Sequence, residues 1–204
     1  MQLIGMLDSP YVRRTAISLR LLKLAFEHRS ISVFRTFEQF RQINPVVNAP
    51  TLICDDGTVL MDSTLIIDHA ENIAGRTLMP AGRAERLRAL RVVGLALAAC
   101  EKAIQMVYER TLRPAEKQHE PWVARVQSQL VAALAALESE LGSSPLSSDG
   151  RTINQAGITT AVAWRFIQMM LPNVIAASAY PILAAYSAEA ERLPAFIAAP
   201  PDES

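Results

Sequence analysis

The spacing of hydrophobic positions divides the chain in two. Through about residue 75, short apolar runs of strand length are interleaved with helical patterns; from Arg83 onward the pattern is helical throughout. Leu3-Ile4-Gly5-Met6 reads as a short buried strand. Asp8-Ser9-Pro10 then announces a helix, because Ser caps well and Pro suits the first helical position. That helix is expected to run from Pro10 to Phe26, with apolar residues around most of its circumference. Ile31 to Phe34 suits a second strand, and Thr36 to Arg41 fits either one helical turn or an irregular segment. Thr51 to Cys54 and Thr58 to Met61 read as strands joined by an Asp55-Asp56-Gly57 turn, since Asp-Gly is a strong hairpin signal. A helix follows at once from Asp62-Ser63, with Ile66, Ala70, Ile73 and Ala74 as its apolar stripe.

The order β-α-β-(α)-β-β-α implies an α/β layer structure. The crossover helix makes the first two strands parallel, and the Asp-Gly turn makes the last two antiparallel. Gly75, Pro80 and Gly82 punctuate the stretch from Asn72 to Gly82 and mark a domain boundary. Beyond it, helices are expected over Arg83–Arg110, Pro121–Leu141 and Gln155–Met170, the last apolar on several sides and therefore central. Pro172, Pro181 and Pro194 cut the remainder into short helices, and the tail from Pro200 is expected to fray. At the start of the central helix, Asn154 and Gly157 stand at capping-box spacing, with Thr152 and Gln155 as the competing box. Gly157 supplies no side-chain acceptor, so Gly157→Asp is expected to stabilise.

Composition narrows the partners. The 204 residues are half hydrophobic and a fifth charged, with 20 Lys+Arg against 20 Asp+Glu. Zero formal charge gives no bulk attraction to nucleic acid or an anionic membrane. Cys54 and Cys100 lie far apart without CxxC or metal spacing, and His28, His69 and His119 form no metal pattern. With no signal peptide and no bilayer-length apolar run, a reducing cytoplasm is the expected setting.

Two features suggest chemistry. Pro50 opens a strand where it cannot donate to a ladder, at the one kind of step where a cis bond is inexpensive. Asp62-Ser63 sits at a helix N-terminus, where unpaired N–H groups and the dipole favour an anion. Taken alone, each is equally an edge-strand proline and an ordinary cap. Together with Ser9-Pro10-Tyr11-Val12-Arg13-Arg14, they resemble the glutathione transferase superfamily, in its bacterial form with Ser at the start of the first helix. The Leu78-Met79-Pro80 step also resembles the one before that superfamily's helical domain, so the resemblance spans essentially the whole chain.

The resemblance implies an α/β thioredoxin-like N-terminal domain over residues 1–78 and an all-α C-terminal domain over 83–204. It implies glutathione as co-substrate, no metal, a homodimer, and attack of the glutathione thiolate on a small electrophile. Ser9 would be the catalytic residue, stabilising the thiolate. Ala49, ahead of Pro50, would pair its backbone with the cysteinyl part of glutathione. Ser63 would bind the γ-glutamyl carboxylate, and Asp62 would balance the amino group. Asn48 stands where many relatives carry Lys for the glycyl carboxylate, and Asp62 where many carry Glu or Gln. Met106, Tyr108, Arg110 and Trp164 are candidate linings for the second substrate, with a core role the plainer reading of the Met and the aromatics. Arg13 either borders the site or pairs elsewhere. Rival readings on the same scaffold are a glutathione-dependent reductase, dehalogenase or isomerase, or a non-catalytic regulatory protein. Ser rather than Cys at position 9 disfavours a mechanism needing a protein thiol there.

Overall fold

The computed structural model describes residues 1–202. These cluster into two compact units: Met1–Leu78 together with the segment from Arg192 onward, and Met79–Glu191. Residues 192–202, assigned from sequence to the helical part, therefore belong with the first unit.

In the first unit the elements run β1 (Gln2–Ile4), α1 (Pro10–Leu21), β2 (Glu27–Arg29), α2 (Phe37–Ile43), β3 (Thr51–Ile53), β4 (Val59–Met61) and α3 (Ser63–Ala74). Among the described residues, four strands form one mixed sheet in the order β2-β1-β3-β4. β1 is parallel to β2, while β3 is antiparallel to both β1 and β4. Alternation along β1 sends Leu3 and Ile4 to opposite faces. Ile4 joins Ile31 and Phe40 in a buried cluster to which Val33, Ile43, Val47, Ala49 and Ile53 add. Leu3 lies opposite Leu52 in register, and both are wholly buried.

Two boundaries differ from the sequence pattern for physical reasons. α1 stops at Leu21 rather than Phe26, because Lys23 turns left-handed at φ 61. Its N–H reaches the Arg20 carbonyl and the Leu24 N–H reaches that of Leu19, a Schellman ending without its usual glycine. The second strand is Glu27–Arg29, not Ile31–Phe34. It is an edge strand of three polar residues held by backbone pairing, so hydrophobic alternation does not reveal it. Ile31 instead plugs the cluster, and Ser32 starts a turn by accepting the Phe34 and Arg35 N–H groups. In α3 the buried stripe is Ile66, Ile67 and Ala70, while Ile73 is half exposed. α8 (Pro194–Ile197) packs against α1.

The second unit contains α4 (Arg83–Thr111), α5 (Glu120–Ser143), α6 (Gln155–Met170) and α7 (Pro181–Ala190). α6 touches both α4 and α7 and is buried on nearly every side over Gln155–Trp164, so the central position read from its composition holds. The Asn154 side chain accepts the Gly157 N–H at 3.2 Å, which is the expected cap. The expectation for Gly157 itself is overturned. A Cβ built there would lie 2.2 Å from the Tyr186 hydroxyl and 3.0 Å from Ile153 Cγ1. Tyr186 is buried and donates to the Ser147 carbonyl at 3.0 Å, so its ring cannot swing aside without losing that bond. Glycine is required by close packing, which outweighs propensity and dipole.

Gly157→Asp and Gly157→Ala are both expected to lower the denaturation midpoint, with Gly157→Ala costing about 1–3 kcal/mol from overpacking. In a Tyr186→Phe background the cost of Gly157→Ala should shrink, because the atom met by the new Cβ is gone. Equal costs in both backgrounds would remove Tyr186 as the cause.

Candidate functional site

The sequence-predicted residues of the first unit lie on three segments: the turn from β1 into α1, the loop entering β3, and the start of α3. Ser9 is the N-cap of α1, in extended conformation, and its carbonyl accepts the first helical bond from Arg13. Its hydroxyl makes no capping hydrogen bond. A half-buried serine at a helix N-terminus thus keeps its donor for something other than its own helix. Beside it, burial pushes the Asp8 carboxyl above its ordinary value; the Ser9 N–H opposes the rise and Asp202 adds to it.

The Ala49–Pro50 bond is cis. The loop carrying it is built on Asn44, which is buried. Asn44 Nδ2 donates to Thr51 Oγ1 at 2.9 Å, and Asn44 Oδ1 accepts the Val46 N–H at 3.0 Å. Thr51 Oγ1 in turn donates to the Asn48 carbonyl at 2.7 Å, and the Asn48 side chain is exposed. Val47 takes a φ of 54, uncommon for a β-branched residue and a mark of a loop held by its surroundings.

Gly5 joins this loop to the β1–α1 turn. Its φ is 135, and a Cβ there would sit 2.6 Å from Val12 Cγ2 and 3.2 Å from Ala49 Cβ. The residue just past β1 must therefore be glycine on two counts, conformation and space. The sequence reading placed Gly5 in a strand and missed this; a glycine ending an apolar run just before a helix cap was the available signal.

At α3, Asp62 is the N-cap, with φ 72 and ψ 124, a positive-φ conformation outside the left-handed helical region. Its carboxylate accepts the N–H groups of Thr64 at 2.8 Å and Leu65 at 3.4 Å. Ser63 follows, only 4% exposed, and its Oγ accepts a hydrogen bond from Arg14 Nη1 at 3.0 Å. Arg14, on α1, is 3% exposed and also donates to Thr64 Oγ1 at 3.2 Å. The sequence pattern gives Arg14 no role; the available signal was an arginine within a helix whose apolar residues cover most of its circumference.

Other candidates find plainer places. Arg13 donates from Nε to the Ala199 carbonyl at 2.8 Å and lies over the Phe196 ring, anchoring the segment after α8. In the second unit Met106 and Trp164 are core, and Trp164 meets Tyr180 edge-on at 5.8 Å. Tyr108 is exposed, and Arg110 forms a two-bond ion pair with Glu120. Cys54 is half-buried, Cys100 is buried, and the two form no disulfide. Among the described residues there is no cluster of His, Cys, Asp and Glu suited to a metal, and no helix is long and apolar enough to cross a membrane.

Residues 3–78 match the family described as Glutathione S-transferase, N-terminal domain. The chain is 30% identical over 165 residues to the uncharacterized GST-like protein YibF of Escherichia coli (strain K12), covering 80% of each. A glutathione transferase family member from Pseudomonas fluorescens Pf-5, solved with bound glutathione, is 27% identical with a TM-score of 0.81 over 99% of both chains. A glutathione S-transferase from Methylobacterium radiotolerans, solved with glutathione sulfonate, superposes with a TM-score of 0.89 at 23% identity, over 100% of this chain and 95% of that one. The chain belongs to the glutathione transferase superfamily, and its fold is that superfamily's thioredoxin-like domain plus an all-α domain.

Gly5→Ala should destabilise the protein by about 2–4 kcal/mol, from positive-φ strain added to overpacking against Val12 and Ala49. A urea denaturation midpoint within error of the parent would show that the turn can retreat from the loop.

Proposed function

We propose that the protein is a glutathione transferase in which Ser9 donates its hydroxyl hydrogen to the glutathione thiolate. The observation that carries this reading is the uncommitted Ser9 hydroxyl at the N-terminus of a 12-residue helix. A thiol brought there meets a hydrogen-bond donor and the positive end of the helix dipole, both favouring the thiolate. The sulfur lone pair then attacks an electrophilic carbon of a small substrate, and the leaving group departs with its electrons or the adduct takes up a proton.

Glutathione is held in this reading by the other two segments. Ser63, through its N–H and hydroxyl, takes the γ-glutamyl carboxylate, and Asp62 faces the amino group. The Ala49 backbone pairs with the cysteinyl residue ahead of the cis Pro50, and Asn48 borders the glycyl end. The glutathione-bound Pseudomonas fluorescens relative, aligned over nearly the full length of both chains, supports glutathione as the ligand. A homodimer acting on toxic electrophiles in a reducing cytoplasm completes the reading by analogy with the superfamily.

The test is thiolate absorbance of bound glutathione against pH, in the parent and in Ser9→Ala. Ser9→Ala should raise the pKa of the bound thiol and reduce turnover of an electrophile panel about tenfold. That is less than the ~10²-fold or more of a dominant oxyanion donor, because the helix N-terminus remains. Stability should change by less than about 0.5 kcal/mol, since no capping bond is lost. Superimposable titrations would overturn the role of Ser9. A parent that binds no glutathione would favour a regulatory protein.

A further inference from the structure

We infer that Arg14 is a positioning residue for the carboxylate site at the start of α3, acting through Ser63; the inference rests on the glutathione reading above. A guanidinium has donors and no acceptor. In its contact with Arg14 at 3.0 Å, the Ser63 oxygen is therefore the acceptor. Its one hydrogen cannot point back along the Arg14 bond and is left for another acceptor.

The neighbouring cap sharpens the arrangement. Asp62 takes the N–H groups of Thr64 and Leu65. Of the first turn of α3, the Ser63 N–H is the donor that Asp62 does not use. Ser63 thus offers two donors from one residue, N–H and O–H, a pair matched to the two oxygens of a carboxylate. Arg14 also donates to the Thr64 hydroxyl at this end. Donation from a cation also polarises the Ser63 hydroxyl and strengthens it as a donor. A carboxylate oxygen accepting from Ser63 Oγ would lie within about 6 Å of the guanidinium, in a setting where burial limits screening.

Arg14 would then not touch glutathione. Its removal should act on one part of the ligand, the γ-glutamyl α-carboxylate, and only while Ser63 carries its hydroxyl. The experiment is isothermal calorimetry with two ligands, glutathione and its γ-aminobutyryl analogue, which lacks that carboxylate. The proteins are the parent, Arg14→Gln, Arg14→Lys, Ser63→Ala and the Arg14→Gln/Ser63→Ala double variant. Arg14→Gln should weaken glutathione about 10–100-fold and the analogue less than about threefold, in the range for a charge-assisted bond acting through one intermediary. In the Ser63→Ala background the same substitution should cost less than about threefold. Arg14→Lys, which keeps charge and one donor, should recover part of the loss.

Equal losses for both ligands, or equal losses in both backgrounds, would make Arg14 a packing residue and overturn the inference. If Arg14→Gln does not fold, Arg14→Lys is compared across the two ligands instead; failure of both to fold assigns Arg14 to the core and equally overturns it. A parent without glutathione affinity removes the functional reading and this inference together. A parent that binds, with unchanged affinity in Arg14→Gln, removes this inference alone.

Discussion

The first unit depends on one close approach. Where β1 ends, the backbone at Gly5 comes so near Val12 and Ala49 that no side chain fits between them. This contact sets the turn carrying Ser9 against the loop carrying the cis proline. The two segments are more than 40 residues apart in sequence. Their spacing comes from packing density, which responds to a single added methyl, and not from a directional bond that could stretch. The Asn44 and Thr51 side chains hold the loop from behind, so its shape is imposed from both sides.

The third segment is tied in differently. α1 reaches α3 by hydrogen bonds from arginines at two places: Arg14 to the hydroxyls at the start of α3, and Arg76, just past its end, to the Leu21 carbonyl at the end of α1. Buried guanidinium is costly unless its donors are used. Aliphatic residues would give the same two helices a contact at lower cost but with no defined rotation about their axes. The polar ties set that rotation, and with it where the Ser63 hydroxyl points.

What could be read in advance follows from how local each determinant is. The cap at Asn154 and the apolar content of the following turns are contiguous, and the helix Gln155–Met170 was legible with its boundaries. The Asp-Gly hairpin and the proline step were legible for the same reason. The end of α1 was not, because a lysine performs a left-handed turn for which glycine is the usual sign. β2 was not, because the backbone of an edge strand pairs whatever its side chains are. Gly5 and Gly157 escaped because each answers to an atom remote in sequence, Ala49 in one case and the Tyr186 hydroxyl in the other. Ser9, Asp62 and Ser63 could be picked out as cap residues. That the Ser9 hydroxyl does not cap while the Asp62 carboxylate does is a matter of rotamer, which residue identity does not specify.

Residues 192–202 return to the first unit. Phe196 lies under Arg13, the Ala199 carbonyl takes the Arg13 Nε–H, and Asp202 accepts from the Leu7 N–H and the Ser30 hydroxyl. The unit that holds the sheet is therefore completed by residues that lie beyond the whole 79–191 unit in sequence. At about 5–20 residues per second, the ribosome takes roughly 6–24 s to travel from Leu78 to Ala199. During that interval a nascent chain holds the sheet and α1, but the carbonyl and ring that finish one flank of α1 have not been made. That flank is completed only when Phe196 and Ala199 have left the exit tunnel.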